Sequence, residues 1–189
     1  MGLTLSTAPT EPVVSVGEVR QHSRISTQSD DNWIQSRISA ATNWAQLYTN
    51  RQFVSGTYTW NVDTFPSVFE VPFPPLSSVT SIKYYDTTET QQTLAASQYT
   101  VITDREPGEI HEAFNVTWPS TQDIPNAVEV IYVAGYGAAA SVPDEFKEVV
   151  CLIVGHWYEN REAGLIGTVS KQLELTVDDI LGMERVVPV

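Results

Sequence analysis

Apolar positions first fall into a helical rhythm at Ile34, Ile38, Ala41, Ala45 and Tyr48, three or four residues apart, while Trp33, Ala40, Trp44 and Leu47 widen the face. Ser29, Asp30 and Asp31 supply capping groups and charge that suits the positive end of a helix dipole, which predicts a helix over residues 30–50. Its apolar face is too broad for a solitary surface helix and needs a packing partner. A second stripe, Phe146, Val149, Val150, Ile153, Val154 and Trp157, supplies one and predicts a helix over residues 142–162. Ser141 is placed to cap it, Pro143 to sit in its first turn, and Asp144, Glu145 and Glu148 to complement its dipole. Ser15 and Glu18 have the spacing of a capping box and open a short helix to about Arg24, over residues 15–24. Beyond Gly164 the chain loosens, and Thr176 is read as the cap of a last short helix over residues 176–183. The first dozen residues, rich in Thr, Pro and Ser, read as a loose arm.

Between Gln52 and Val133 the rhythm changes from helical spacing to alternation. Candidate strands are Phe53–Val62, Val68–Val71, Val79–Tyr85, Gln98–Thr103, Glu109–Phe114 and Ala127–Val133. Pro72, Pro74 and Pro75 cannot donate to a ladder and mark a sheet edge or crossing. Arg105-Glu106-Pro107-Gly108 is a turn. The pattern predicts an α+β fold. A single domain over residues 1–189 combines a helical platform, an antiparallel β-rich insertion over residues 53–133 and a C-terminal arm over residues 164–189.

Composition narrows the partners. With 23 acidic against 10 basic side chains the formal charge is -13, and the cations are scattered from Arg20 to Arg185. Sequence-specific DNA binding is not expected of such a chain. One cysteine allows no intrachain disulfide and no thiolate metal cluster. Charges interrupt every apolar stretch, so no segment is expected to span a bilayer. The start Met1-Gly2-Leu3-Thr4 lacks a secretory pattern, and synthesis in the cytosol is expected.

Few residues suggest chemistry. Cys151 and His156 are five positions apart and point to different faces of one helix, so Cys151 reads as a core residue. His22, His111 and His156 lie in separate elements without a metal-ligand spacing. Gly135-Tyr136-Gly137 lacks the third glycine and the lysine of a phosphate loop. Glu159 and Glu162 are read as solvated or paired with a neighbour's arginine. No metal site is expected of them. A reading of another class is a glycan- or protein-binding module using Tyr58, Trp60, Tyr84, Tyr85 and Trp118; a hydrolase has only dispersed carboxylates behind it.

Four segments carry a resemblance. Val142-Pro143-Asp144-Glu145-Phe146-Lys147 leads into Gly155-His156-Trp157-Tyr158-Glu159-Asn160-Arg161-Glu162. Pro74-Pro75-Leu76-Ser77-Ser78-Val79-Thr80-Ser81-Ile82 and Val133-Ala134-Gly135-Tyr136-Gly137 precede it, and Glu11-Pro12-Val13 through Glu18-Val19 to Arg24-Ile25 has a similar spacing. In this order, across residues 11–162, they resemble phage head-tail connector (adaptor) proteins, including those of gene transfer agents. The chain departs from the family pattern at Ser23, where a larger apolar residue is expected, and the tail after Gly164 matches poorly.

The resemblance implies a structural protein of the particle neck with no cofactor and no enzymatic activity, a ring of about twelve copies closed by front-to-back contacts. It implies the portal protein on one side and a stopper or tail-completion protein on the other, with DNA passing through. An acidic lining would let DNA slide without sticking. Trp157, Tyr158, Asn160 and Arg161 become candidate subunit contacts, because aromatic residues and arginine are enriched at interfaces. Leu173, Leu175, Val177, Ile180, Leu181, Met183, Val186 and Val187 become candidates for docking on the portal.

Overall fold

The computed structural model describes residues 2–161 and 171–187, the side chains of residues 171–175 excepted. The fold is α+β, and the chain divides into two compact units. A helical unit holds residues 10–54 and 137–187, and a strand-rich unit holds residues 55–136 with the N-terminal segment.

The helical unit opens on α1, Val16–His22, with its capping box formed: Ser15 Oγ accepts from Glu18 N at 3.2 Å, and Glu18 Oε2 accepts from Ser15 N at 2.6 Å. The helix stops short of the expected Arg24, which adopts a left-handed φ of 53°. Helix α2, Asp31–Thr49, buries Ile34, Ile38, Ala41 and Ala45 and closes on Asn50 in the left-handed conformation. Asp30 occupies its N-cap position, but the side chain makes no capping bond there.

Helix α3, Asp144–Glu159, begins later and ends earlier than its pattern predicts. Ser141 does not cap it. That residue belongs to a 3-10 turn, Ala139–Ser141, and Pro143 is the N-cap rather than a first-turn residue. Proline disfavours helical geometry in the residue before it, and Val142 is accordingly extended at ψ 132°. All six residues of the predicted α3 stripe are buried. This face packs on α2, as expected, with Phe146 stacked on Phe53 at 4.6 Å. Full burial of each such side chain contributes roughly 1.5–3 kcal/mol. Helix α4, Lys171–Leu181, starts before Thr176, which lies inside it instead of capping it. A 3-10 turn, Gly182–Glu184, follows.

The strand-rich unit has eight described strands where six were expected. They are β1 Gly2–Thr7, β2 Gly56–Val62, β3 Phe69–Glu70, β4 Leu76–Tyr85, β5 Gln91–Thr93, β6 Tyr99–Ile102, β7 Glu109–Glu112 and β8 Val128–Ala134. A five-stranded sheet runs β1-β2-β8-β4-β5 and a three-stranded one β3-β7-β6, with every pairing antiparallel. The start of the expected loose arm is in fact an edge strand: Leu3 pairs opposite Trp60 and Leu5 opposite Tyr58. Strand β5 follows a turn built on Asp86, whose carboxylate accepts from Thr88 Oγ1, Gln92 Nε2 and the Thr90 and Thr88 amides. Those bonds, the Thr88 hydroxyl first, hold the Asp86 carboxyl well below the usual range.

Strict alternation in β8, with Val128, Val130, Tyr132 and Ala134 buried, builds the core with Tyr58, Trp60, Phe69, Ile82 and Ile110. The Pro72–Pro75 segment is the crossing from β3 of the small sheet to β4 of the large one. Its Pro72 carbonyl accepts from Tyr132 Oη at 2.9 Å, satisfying a buried hydroxyl. Arg105–Gly108 makes the turn between β6 and β7.

Candidate functional site

The four candidate subunit-contact residues sit at the C-terminal end of α3 and behave differently. Trp157 is 9% exposed and fills the core. Tyr158 Oη donates to Asp30 Oδ2 at 2.9 Å, and Arg161 Nη2 reaches the same oxygen at 2.8 Å. The Arg161 guanidinium also lies 4.3 Å from the Tyr158 ring centre and 4.7 Å from that of Trp33. These contacts, with Arg161 first and Tyr158 second, hold the Asp30 carboxyl below its ordinary range, while the bond to Asp30 raises the Tyr158 phenol. Asn160 is exposed, and its Nδ2 donates to the His156 carbonyl at 2.9 Å. The end of α3 is thus tied to the start of α2 by a carboxylate that would otherwise serve as a helix cap.

The C-terminal candidates also separate. Val177 and Leu181, four apart on α4, are fully buried. Ile180 and Val186 are half-buried, whereas Met183 at 94% and Val187 at 75% stand in solvent. Leu173 and Leu175 lie outside the described side chains. After α4 the chain is pinned to the end of α2: Val186 N donates to the Thr49 carbonyl at 3.0 Å, Asn50 Nδ2 to the Val186 carbonyl at 2.8 Å, and Arg51 Nε to the Glu184 carbonyl at 2.6 Å.

In the strand-rich unit Tyr58 and Trp60 are buried core residues, and Trp118 stacks on Phe65 at 5.1 Å. Burial pushes the Tyr58 phenol up to about 12. Only Tyr85 of the five aromatics is exposed, so they form no aromatic platform for a sugar. Cys151 is buried, which drives its thiol up to about 11, with Glu148 and Glu18 adding to the effect. Among the described residues no three His, Cys, Asp or Glu side chains converge as a metal-ligand set, and no helix is long and apolar enough to cross a membrane.

A groove and a half-open helix face also point outward. A groove of about 400 Å³ runs between the end of α1 and α3, with Ser23 and Arg24 on one wall and Leu152, Gly155, His156 and Glu159 on the other. On α2 an aromatic and arginine face is left half-open, with Trp44 stacked on Tyr48 at 5.3 Å and Leu47 57% exposed. The width of the α2 apolar face was the available signal.

A family model described as head completion protein matches residues 12–168 of the chain. The chain belongs to the head completion protein family. The match covers residues 12–162 of the segments that resemble head-tail connectors and bears that resemblance out. No curated protein sequence matches this head completion protein. Solved structures do. A chain in the neck of an empty GTA particle computed with C6 symmetry superposes with TM-score 0.81 at 22% identity. One in the neck of a native GTA particle computed with C12 symmetry gives 0.78, and one in the virion of a native gene transfer agent particle gives 0.77, both at 22% identity. In each case the superposition covers 100% of this chain and 97% of the other. At that identity the likeness establishes a shared fold.

Proposed function

We propose that this head completion protein is a non-enzymatic neck component of a phage-like or gene-transfer-agent particle. It forms a ring beneath the portal, joins the DNA-filled head to the stopper or tail, and lines part of the DNA channel. The observation that carries the reading is the full-length likeness to chains of GTA necks, both units included, together with the family match over residues 12–168. Sixfold and twelvefold symmetry of those necks are both compatible with about twelve copies.

The charge supports passage of DNA rather than its capture. Among the described residues Arg20, Arg51, Lys83, Arg105, Lys147 and Arg161 pair with carboxylates of the same chain. A net charge of -13 repels a phosphate backbone and lets it slide. Among the described residues of the C-terminal segment Met183 and Val187 are exposed apolar side chains, suited to dock on the portal.

Deleting the coding sequence in producing cells tests the reading. DNA-filled heads that lack tails are expected, with joining restored by the intact chain supplied separately. Normal tailed particles from the deletion strain would overturn it.

A further inference from the structure

Helix α2 carries a second stripe beside its buried one. Trp33, Arg37, Ala40, Trp44 and Leu47 recur at four, three, four and three residues; the first four are half-buried and Leu47 is exposed. Arg37 makes no ion pair among the described residues, and its guanidinium lies 5.0 Å from the Trp33 ring centre. In a chain of 23 acidic residues none falls between Asp31 and Asp63. A stripe of tryptophan, leucine and arginine free of Asp and Glu has the composition of an interface centre.

Helix α3 presents the complement. Glu145, Glu148, Leu152, Gly155 and Glu159 recur at three, four, three and four residues along its outer side; the three glutamates are exposed, and Glu148 keeps one oxygen 3.1 Å from His22 Nε2 of α1. Leu152 and Gly155 line the groove beside α1, with Ser23 packed closely on Gly155 at its floor. This stripe lies away from the Trp33 side: six residues on from Leu152, Tyr158 is roughly 120° around the helix and contacts Trp33 at 5.8 Å. The spacings also agree. Arg37 precedes Trp44 by seven residues, roughly 10.5 Å of helix, and Glu148 precedes Gly155 by the same interval.

We propose that the Trp33–Arg37–Trp44–Leu47 stripe of one copy docks on the α3 stripe of a second copy of this chain, with Arg37 meeting Glu148 and Trp44 entering the groove over Gly155. Two different faces meet, so the contact is head-to-tail and propagates around a ring. The inference rests on the ring reading above and names the surfaces that close it.

The test uses Leu47→Glu, Arg37→Glu, Glu148→Arg and the Arg37→Glu/Glu148→Arg double variant, each supplied to producing cells lacking the native copy. Copies per purified particle are counted by quantitative mass spectrometry, and circular dichroism checks that each purified chain is folded. Leu47 is exposed, so its substitution perturbs the contact without touching the core. Each single variant is expected to lower incorporation about tenfold or more, and the double variant to recover it to within about twofold. Incorporation of Leu47→Glu and Arg37→Glu at the wild-type level overturns the inference while leaving the ring reading intact. Loss in Arg37→Glu without recovery in the double variant overturns the pairing with α3. A wild-type chain missing from particles overturns the ring reading itself.

Discussion

Ser23 Oγ presses against the backbone of Gly155: a β-carbon added at that glycine would stand 2.7 Å from it, and 3.7 Å from Ser23 Cβ. The end of α1 approaches α3 closely because both side chains are small. This accounts for a serine at a position where the family pattern expects a larger apolar residue. The Ser23 hydroxyl is buried without a hydrogen-bond partner. Gly155→Ala alone therefore loses to the clash what alanine gains in helix propensity, about 1 kcal/mol. In a Ser23→Ala background the gain is expressed, so a double-mutant cycle in urea should show coupling of at least about 0.5 kcal/mol. Equal effects of Gly155→Ala in the two backgrounds would contradict the contact.

Gly108 faces a tighter constraint. A β-carbon there would clash with Leu76 Cβ, close to the backbone of β4, where no side-chain rotation relieves it. Gly108→Ala should cost roughly 1–3 kcal/mol by overpacking between the two sheets, read as a lowered urea midpoint with an unchanged slope. A variant as stable as the wild type would show that this approach is looser than described.

The helical seam and the sheet alternation were legible because each is set by many residues repeating one period. Ile34, Ile38, Ala41 and Ala45, and the α3 stripe from Phe146 to Trp157, each vote the same way. Strand β1 was missed because Gly2–Thr7 offers only Leu3 and Leu5 as alternating apolar positions beside a Thr, Pro and Ser-rich stretch. The register against Trp60 and Tyr58, 55 or so residues away, decides it. Thr176 has the chemistry of a cap yet lies inside α4, because the good helix formers Lys171, Gln172, Leu173, Glu174 and Leu175 start the helix before it. Arg161 and Tyr158 stood out as interface types, yet their common partner Asp30 lies more than a hundred residues earlier, and no local pattern announces it.

That partnership has a pH signature. Arg161 and then Tyr158 stabilise the ionised Asp30, so its folded pKa lies below the ordinary 3.8. Its stabilising contribution is complete above that ordinary value and is lost as pH falls through the lower folded value. Carboxyl carbon NMR should show Asp30 titrating below 3.8, shifting upward in Tyr158→Phe and further in Arg161→Met. An Asp30 titration unmoved by either substitution would contradict the triad.

Cys151 should be silent in the folded protein. With its thiol buried and raised to about 11, labelling by iodoacetamide at pH 8 is expected only on unfolding, at a rate that tracks global opening. Rapid labelling under native conditions would place the residue nearer solvent than the α3 stripe requires.

Cryogenic electron microscopy of purified particles made with the wild-type chain, reconstructed around the head-tail junction, tests the central claim most directly. A closed ring of copies, each matching the four helices and two sheets described here and seated between portal and tail, is the predicted density. Intact necks in which no density fits this fold would contradict the account.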